Sequence, residues 1–165
     1  MTAQSPVLWG KYIRDTLIAA TVASAAAFTC YMLELPPWAM FVGWVAFFTQ
    51  PNSASSAISS GVCIALGILM GMTAAIVNTL LQPVVGGIAF AVTVFSVAFL
   101  VVSLRGLPLV GNIIAWFLGL ITFFAAHPAN ALSGVIGLTI VTALGILAGY
   151  CCSYLQSITG EGNAT

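Results

Sequence analysis

Two short polar segments interrupt an otherwise apolar chain, and they carry the side chains best suited to binding or chemistry. Gln50 and Asn52 flank a proline in the first segment, and His127 and Asn130 bracket a Pro-Ala pair in the second. Amide groups donate and accept hydrogen bonds without carrying charge, which suits a neutral polar solute or a weakly held ion. Histidine changes charge near neutral pH, so His127 is a candidate proton relay or gate. The plainer alternative is a loop histidine that caps a helix end.

No arrangement for acid-base or nucleophilic catalysis is recognisable. The chain has three basic and three acidic residues, with no paired carboxylate, no nucleophile beside a base and no glycine-rich phosphate loop. Cys30, Cys63, Cys151 and Cys152 all fall inside apolar runs, where a free cysteine behaves as a small buried hydrophobe. Zinc or redox chemistry would need closer spacing and polar neighbours. We therefore expect no enzyme activity, no metal and no cofactor.

The composition is that of an integral membrane protein whose main partner is the lipid bilayer. Of 165 residues, 61% are hydrophobic and 4% are charged, whereas a soluble domain carries about 25% charged residues. No residue between Glu34 and Arg105 is charged, and none between Arg105 and Glu161. The net charge is zero and no basic block occurs, which argues against nucleic acid as a partner.

Apolar runs between these polar residues predict a single all-α membrane domain over residues 1–165 with six transmembrane helices. Proline, glycine and polar residues place the helices at about residues 16–33, 36–49, 54–81, 84–104, 109–126 and 131–155. Their lengths follow the order medium, short, long, and then the same order again. The second and fifth helices are the short ones, and each ends at one of the two polar segments.

Two sequence landmarks recur and indicate an internal duplication. The run Ala-Leu-Gly-Ile-Leu-Met-Gly at residues 65–71 returns as Ala-Leu-Gly-Ile-Leu-Ala-Gly at residues 143–149, an offset of 78. A glycine followed by two phenylalanines also recurs with an offset of 76, as Gly43 with Phe47 and Phe48, and as Gly119 with Phe123 and Phe124. We define repeat one as about residues 12–82 and repeat two as about 84–157. Because each repeat has three spans, the second must enter the membrane in the opposite orientation, which predicts two inverted three-helix repeats.

The few charges agree with this topology. If the N-terminus is cytoplasmic, Lys11, Arg14 and Arg105 all fall on the cytoplasmic side, as the positive-inside rule prefers. Glu34 then lies outside, and the C-terminus is cytoplasmic.

Each polar segment follows a short helix rich in aromatic residues. One interpretation is two ordinary turns at opposite membrane surfaces. The other places both breaks below the surface, where irregular backbone is tolerated only around a cavity or pore. In that case the neighbouring aromatic side chains would form a hydrophobic constriction, a device that gates or selects in channels. These side chains are Trp44, Phe47, Phe48, Trp116, Phe123 and Phe124. Asn78 and Asn112 are isolated in the sequence and rank lower as candidates.

Glycines four residues apart mark the long third and sixth helices. Gly67 and Gly71 correspond to Gly145 and Gly149 under the duplication. Small residues at this spacing create a smooth groove that lets membrane helices approach closely. We predict that they pack helices together, with the third and sixth helices crossing at a pseudo-two-fold axis. A subunit interface is the alternative.

The short second helix with its break and the glycine-bearing third helix, together with their counterparts in the second half, carry a family resemblance. The segment from Pro37 through Gly43, Phe47 and Pro51, and the segment from Gly119 to Gly149, resemble the YcdZ-type family of uncharacterised bacterial inner-membrane proteins, a domain of unknown function. The resemblance implies a multi-pass inner-membrane location and names no substrate.

These patterns favour a channel or facilitative transporter for a small neutral or weakly charged solute. Because one chain supplies a bundle of only 17.0 kDa, we expect a homo-oligomer, for example a trimer. Two alternatives remain open at this point. One is a structural or regulatory membrane subunit that binds partner helices through its glycine grooves, and the other is a proton-coupled exporter of small molecules.

Overall fold

A computed structural model describes residues 6–128 and 131–161, and its regular secondary structure is entirely α-helical. Six helices follow one another: α1 (Pro6–Met32), α2 (Pro37–Phe48), α3 (Ala54–Val85), α4 (Ile88–Ser103), α5 (Ile113–Ala126) and α6 (Ala131–Glu161). The prediction of an all-α chain with six helices is therefore confirmed, although several boundaries differ.

Three of the helices, α1, α3 and α6, are long and apolar enough to cross a membrane. The other three are apolar but short, with 12 residues in α2, 16 in α4 and 14 in α5. At 1.5 Å per residue these measure about 18, 24 and 21 Å, which is less than the hydrocarbon core of about 30 Å. The six predicted spans thus divide into three helices long enough to cross the hydrocarbon core and three that are shorter than it.

The boundaries that differ from prediction by four residues or more lie at the junction of α3 and α4, at the starts of α1 and α5 and at the end of α6. The third helix was expected to close before Pro83, but it continues to Val85 because the proline sits in its last turn. It ends at Gly86, whose φ of 61° favours glycine and whose N–H donates to the Gln82 carbonyl oxygen. As a result α4 begins at Ile88, four residues later than predicted. Helix α1 begins at Pro6, ten residues earlier than predicted.

Capping residues define the short helices and the break between α2 and α3. Pro37 occupies the first turn of α2, where its missing N–H costs nothing. Ser53 caps α3 by accepting a hydrogen bond from the Ser56 N–H at 3.1 Å. Ser53 is thus the polar cap at this break, while the preceding Asn52 is exposed.

Glycines bring α2 into backbone contact with α6. A Cβ atom placed on Gly43 would collide with the Thr142 carbonyl oxygen, and one on Gly145 would collide with the Met40 carbonyl oxygen. Gly149 faces the Phe47 ring, whose Cδ1 lies 3.0 Å from the position of such a Cβ. Only glycine permits helix axes this close.

The same contacts occur between α3 and α5. Gly119 lies against the Ile64 carbonyl oxygen, and Gly67 lies against the Trp116 carbonyl oxygen. A Cβ on Gly71 would lie 2.8 Å from the Phe123 Cβ. Each of these contacts maps onto one of the α2–α6 contacts under the offsets of 76 and 78 residues that relate the sequence landmarks.

The glycine pairs therefore face different partners from those expected. Gly67 and Gly71 on α3 pack against α5, and Gly145 and Gly149 on α6 pack against α2, whereas we predicted that the two long helices would cross at these glycines. The physical reason is that the glycine groove of each long helix is filled by the short helix of the opposite half, α5 on α3 and α2 on α6. The space between α3 and α6 is bridged by larger side chains, with Ile146 Cδ1 lying 3.7 Å from a Cβ on Gly61.

The N-terminal part of α1 lies beside the C-terminal part of α6. The Arg14 guanidinium donates to the Thr159 carbonyl oxygen at 2.7 Å and forms an ion pair with Asp15 at 3.0 Å. The Gln156 amide donates to the Asp15 carbonyl oxygen at 2.9 Å. The early turns of α1 and the late turns of α6 are thus at the same end of the bundle.

Candidate functional site

The first break meets the start of α5 in a buried polar cluster. The Asn112 side-chain amide donates to Thr49 Oγ1 and to Ser60 Oγ, both at 3.1 Å. The Asn112 carbonyl oxygen accepts from the Ala115 N–H at 3.2 Å, which makes Asn112 the N-cap of α5. We call Thr49, Ser60 and Asn112 the Asn112 cluster. It joins the end of α2, the second turn of α3 and the start of α5.

The hydroxyl groups of the cluster also hold the end of α2. Thr49 Oγ1 donates to the Ala46 carbonyl oxygen at 2.7 Å, and Ser60 Oγ donates to the same oxygen at 3.1 Å. Asn112 is 3% exposed and Ser60 is fully buried. A helix leaves its last carbonyl groups without i+4 partners, and these hydroxyls add to the one backbone bond that the Ala46 carbonyl oxygen accepts, from the Thr49 N–H at 3.3 Å. The cluster thus supplies uncharged hydrogen-bond donors and acceptors where α2 ends and α5 begins.

A second pair of bonds extends this polar region toward the α4–α5 connection. Ser59 Oγ donates to the Leu109 carbonyl oxygen at 2.9 Å, and the Cys63 thiol approaches the same oxygen at 3.7 Å. The Trp116 indole N–H donates to the Val110 carbonyl oxygen at 2.9 Å. The irregular backbone before α5 is therefore satisfied by side chains from α3 and α5.

Asn112 is the residue that sequence reasoning undervalued. It was ranked low because no polar residue lies near it in the chain, yet its partners are 52 and 63 residues away. One local signal existed, since an asparagine directly before an apolar run is a typical N-cap. That signal identifies the cap but not the hydrogen bonds to Thr49 and Ser60.

The three positions equivalent to the cluster under the duplication are apolar. Under the offsets of 76 and 78 residues, Thr49 corresponds to Ala125, Ser60 to Leu138, and Asn112 to Pro36. Leu138 is buried, as Ser60 is. The two halves therefore share their glycine contacts but differ in polarity at the breaks.

The other residues predicted at the first break are spread between core and surface. Phe47 is fully buried, while Phe48 is exposed and packs edge-on against Phe47 with ring centroids 5.0 Å apart. Trp44 and Gln50 are half-buried.

At the second break, His127 is exposed and ends α5 in the left-handed region with a φ of 43°. Its Nδ1 lies 3.4 Å from the Ala125 carbonyl oxygen. Phe123 is buried and contacts the exposed Phe124, with ring centroids 5.6 Å apart. Asn130 lies outside the described residues.

The two breaks are not brought together. The first meets Asn112 at the start of α5, and His127 follows the opposite end of that helix, which is 14 residues or about 21 Å long. Phe47, Trp116 and Phe123, three of the predicted constriction residues, are buried in the core of the bundle.

Within the described part of the chain, no three His, Cys, Asp or Glu side chains are grouped closely enough to hold a metal ion. Cys30, Cys63 and Cys152 are buried free thiols, and Cys151 is an exposed one. Uncharged hydrogen bonding is therefore the chemistry that the site offers.

Comparison with known protein families gives one match. The model of the DUF1097 family, described as a protein of unknown function, matches residues 16–157, which covers all six helices in whole or in part. Comparisons with curated proteins and with solved structures give no significant match.

Proposed function

We propose that the chain, which belongs to the DUF1097 family of proteins of unknown function, is a membrane transporter that facilitates passage of a small, uncharged or weakly charged polar solute. The observation that carries the proposal is the pair of short helices α2 and α5. They are too short to cross a hydrocarbon core of about 30 Å, and both end at irregular segments. Irregular backbone within a bilayer is tolerated where it lines a cavity or is buried in protein.

The repeated contacts support an inverted-repeat architecture for this transporter. Gly43 against Thr142 and Gly119 against Ile64 are the same contact under the sequence offsets, and each involves one helix from each half. Transporters built from inverted repeats bind solutes near the midplane, where interrupted helices from the two halves meet. In this chain the Asn112 cluster is where α2 meets α5.

The filled core favours a carrier over a permanently open channel. Phe47 and Phe123 are buried between the two breaks, so passage requires movement of the short helices relative to the long ones. An alternating opening of the two breaks, with the Asn112 cluster on one side and the His127 break on the other, meets this requirement.

The proposed location is the bacterial inner membrane, as the resemblance to the YcdZ-type family implies. Both termini are placed in the cytoplasm. This agrees with the contact between Arg14 and the Thr159 carbonyl oxygen, which puts the ends of α1 and α6 together, and with the positive-inside rule. A homo-oligomer is proposed because the chain is small, at 17.0 kDa.

The decisive measurement is flux into proteoliposomes with a panel of urea-like, amide, short-acid and monovalent-ion solutes. We expect at least one uncharged solute to equilibrate faster than in empty vesicles. Gln50→Leu should slow that flux by about tenfold, because removal of one solute hydrogen bond of about 1.4 kcal/mol changes an equilibrium by that factor. Gln82→Leu, the same change at the exposed end of α3, serves as the control. Equal flux in loaded and empty vesicles across the panel would remove the support for transport.

A structural or regulatory subunit is the second candidate, favoured by the tight glycine packing of the core. Such a subunit was expected to bind partner helices through its glycine grooves, but Gly67 and Gly71 face α5 within the chain. A partner would have to bind elsewhere on the protein. The hypothesis of a structural or regulatory subunit also predicts no flux for any solute. A proton-coupled exporter predicts instead that His127→Ala removes a pH dependence of transport.

A further inference from the structure

A cavity of about 480 Å³ lies between α3, α4 and α5, away from the Asn112 cluster. Its lining is apolar apart from Asn78, Thr79 and Thr93. Its volume falls within the range of small-molecule sites, which is about 300–1,000 Å³, and such sites combine apolar walls with a few polar groups. The Thr79 hydroxyl is already used, because it donates to the Ala75 carbonyl oxygen at 2.9 Å.

The other two polar groups have no partner. Among the described residues, Asn78 Oδ1 and Thr93 Oγ1 are the buried side-chain oxygen or nitrogen atoms that make no hydrogen bond. Both residues line the same cavity. A buried polar group without a partner is costly, so two of them facing one space call for an explanation.

Thr93 departs from a pattern that the rest of the chain follows. Nine described threonines inside helices donate their hydroxyl to the carbonyl oxygen four residues earlier. This bond is the ordinary way to satisfy a threonine in a membrane helix. Thr93 is 7% exposed and does not make it. Its hydroxyl is therefore available to a ligand in the cavity.

The side chain at the position equivalent to Asn78 in the second half has a hydrogen-bond partner within the protein. Asn78 corresponds to Gln156 under the offset of 78 residues. Gln156 donates its amide to the Asp15 carbonyl oxygen at 2.9 Å, between α6 and α1. In contrast, Asn78 Oδ1 on α3 makes no hydrogen bond. One half of the protein thus uses this position for internal packing, while the other leaves it open.

We propose that the cavity between α3, α4 and α5 is a binding site for an uncharged amphiphile with one apolar chain or ring system and one hydroxyl or amide head. Such a head both donates and accepts, so it can donate to Asn78 Oδ1 and accept from the Thr93 hydroxyl. The apolar body fills the remaining space. Water alone is a poor occupant, because a volume far above the about 30 Å³ of one molecule offers only two unpaired polar groups.

The ligand reaches the site from the hydrocarbon phase of the membrane. Phe90, Val94 and Phe124 line the cavity and are also exposed, so its mouth is apolar. No charged side chain lines the cavity, which disfavours an ionised head. This site does not depend on the transport proposal, and its test measures binding only.

The test uses the full-length protein in lipid nanodiscs and three photoreactive probes with the same ten-carbon, diazirine-bearing chain. One probe ends in a hydroxyl, one in a methyl group and one in a carboxylate. Labelled sites are located by peptide mass spectrometry. We expect the alcohol to label the cavity segments of α3, α4 and α5 with about tenfold higher affinity than the other two probes.

Variants assign the effect to the two polar groups. Thr93→Val keeps the shape of the side chain and removes the hydroxyl, and we expect about tenfold weaker labelling by the alcohol with no change for the methyl-ended probe. Asn78→Leu should act in the same direction. Thr73→Val is the matched control, because Thr73 is exposed on α3 and donates to the Leu69 carbonyl oxygen.

Two results would overturn the proposal. The first is equal labelling of the cavity by the alcohol, methyl and carboxylate probes, which would mean contact with bulk lipid. The second is unchanged alcohol labelling in folded Thr93→Val and Asn78→Leu proteins. If a variant does not fold, competition on the unaltered protein answers the same question: decanol should displace the alcohol probe, and decane should not.

Discussion

Gly145→Ala is expected to lower the unfolding temperature in detergent by about 6 to 12 °C. The added methyl group would collide with the Met40 carbonyl oxygen and would lie 2.8 Å from the Trp44 backbone nitrogen, so α2 must move away from α6.

 Gly145 packs against the backbone of α2, not against a flexible side chain, so the contact cannot be relieved by a rotamer change. Overpacking of this kind lowers the free energy of unfolding by about 3 kcal/mol. In a chain of this length, that loss lowers the unfolding temperature by about 6 to 12 °C. Thermal unfolding can be followed by the reaction of a thiol dye with the buried Cys30, Cys63 and Cys152.

Gly137→Ala is the matched control for this prediction. Gly137 lies on the same helix, and nothing lies within 4 Å of a Cβ placed on it. Alanine is a better helix former than glycine by about 1 kcal/mol, so this variant should be unchanged or slightly more stable. Gly67→Ala should resemble Gly145→Ala, because its Cβ meets the Trp116 carbonyl oxygen in the equivalent contact. A stable Gly145→Ala protein would contradict the close backbone contact between α6 and α2, and a harmless Gly67→Ala beside a damaging Gly145→Ala would contradict the equivalence of the two contacts.

The positions of the helices were largely predictable because proline, glycine and polar residues mark their ends. Helix α2 begins at Pro37 and ends before Pro51, close to the boundaries expected from the sequence. The exception at Pro83 shows the limit of this reasoning. A proline removes one N–H from the helix ladder, and near the end of a helix the chain tolerates that loss.

The partners of the glycines could not be predicted, because two glycines four residues apart indicate only that another helix packs closely there and do not indicate which helix. Gly67 and Gly71 gave no indication that α5 would fill their groove. The duplication did constrain the answer, since whatever packs on Gly67 must have a counterpart on Gly145. The duplication therefore requires the two glycine contacts to be equivalent. Only the structure shows that the partners are α5 for Gly67 and α2 for Gly145.

The polar sites were the least predictable part. The sequence does not show whether a threonine donates back to its own helix, so Thr93 looked like any other helical threonine. Likewise, Asn112 depends on side chains from α3 and from the end of α2. Both sites arise where segments distant in sequence converge, and single-sequence patterns describe only neighbours along the chain.

Asn112→Leu is expected to destabilise the protein by about 3 kcal/mol. The substitution removes two hydrogen bonds to Thr49 and Ser60 and the cap on the Ala115 N–H. Each bond contributes about 1 kcal/mol, and the Ala115 N–H would be left buried without an acceptor, since Ala115 is fully buried. The measurement is again thermal unfolding in detergent followed by thiol accessibility.

Asn112→Ser separates the two functions of this side chain. Serine is a good N-cap, so it can still accept from the Ala115 N–H, but it is too short to reach both Thr49 and Ser60. We therefore expect about half the loss seen for leucine. Asn52→Leu, the same chemical change at an exposed position of the first break, should shift stability by less than about 0.5 kcal/mol. A serine variant as stable as the unaltered protein would mean that the bonds across to α2 and α3 contribute nothing beyond the cap. A clear loss in the serine variant would establish that the Asn112 cluster ties the end of α2 to the start of α5, the junction at which the proposed transporter has to open.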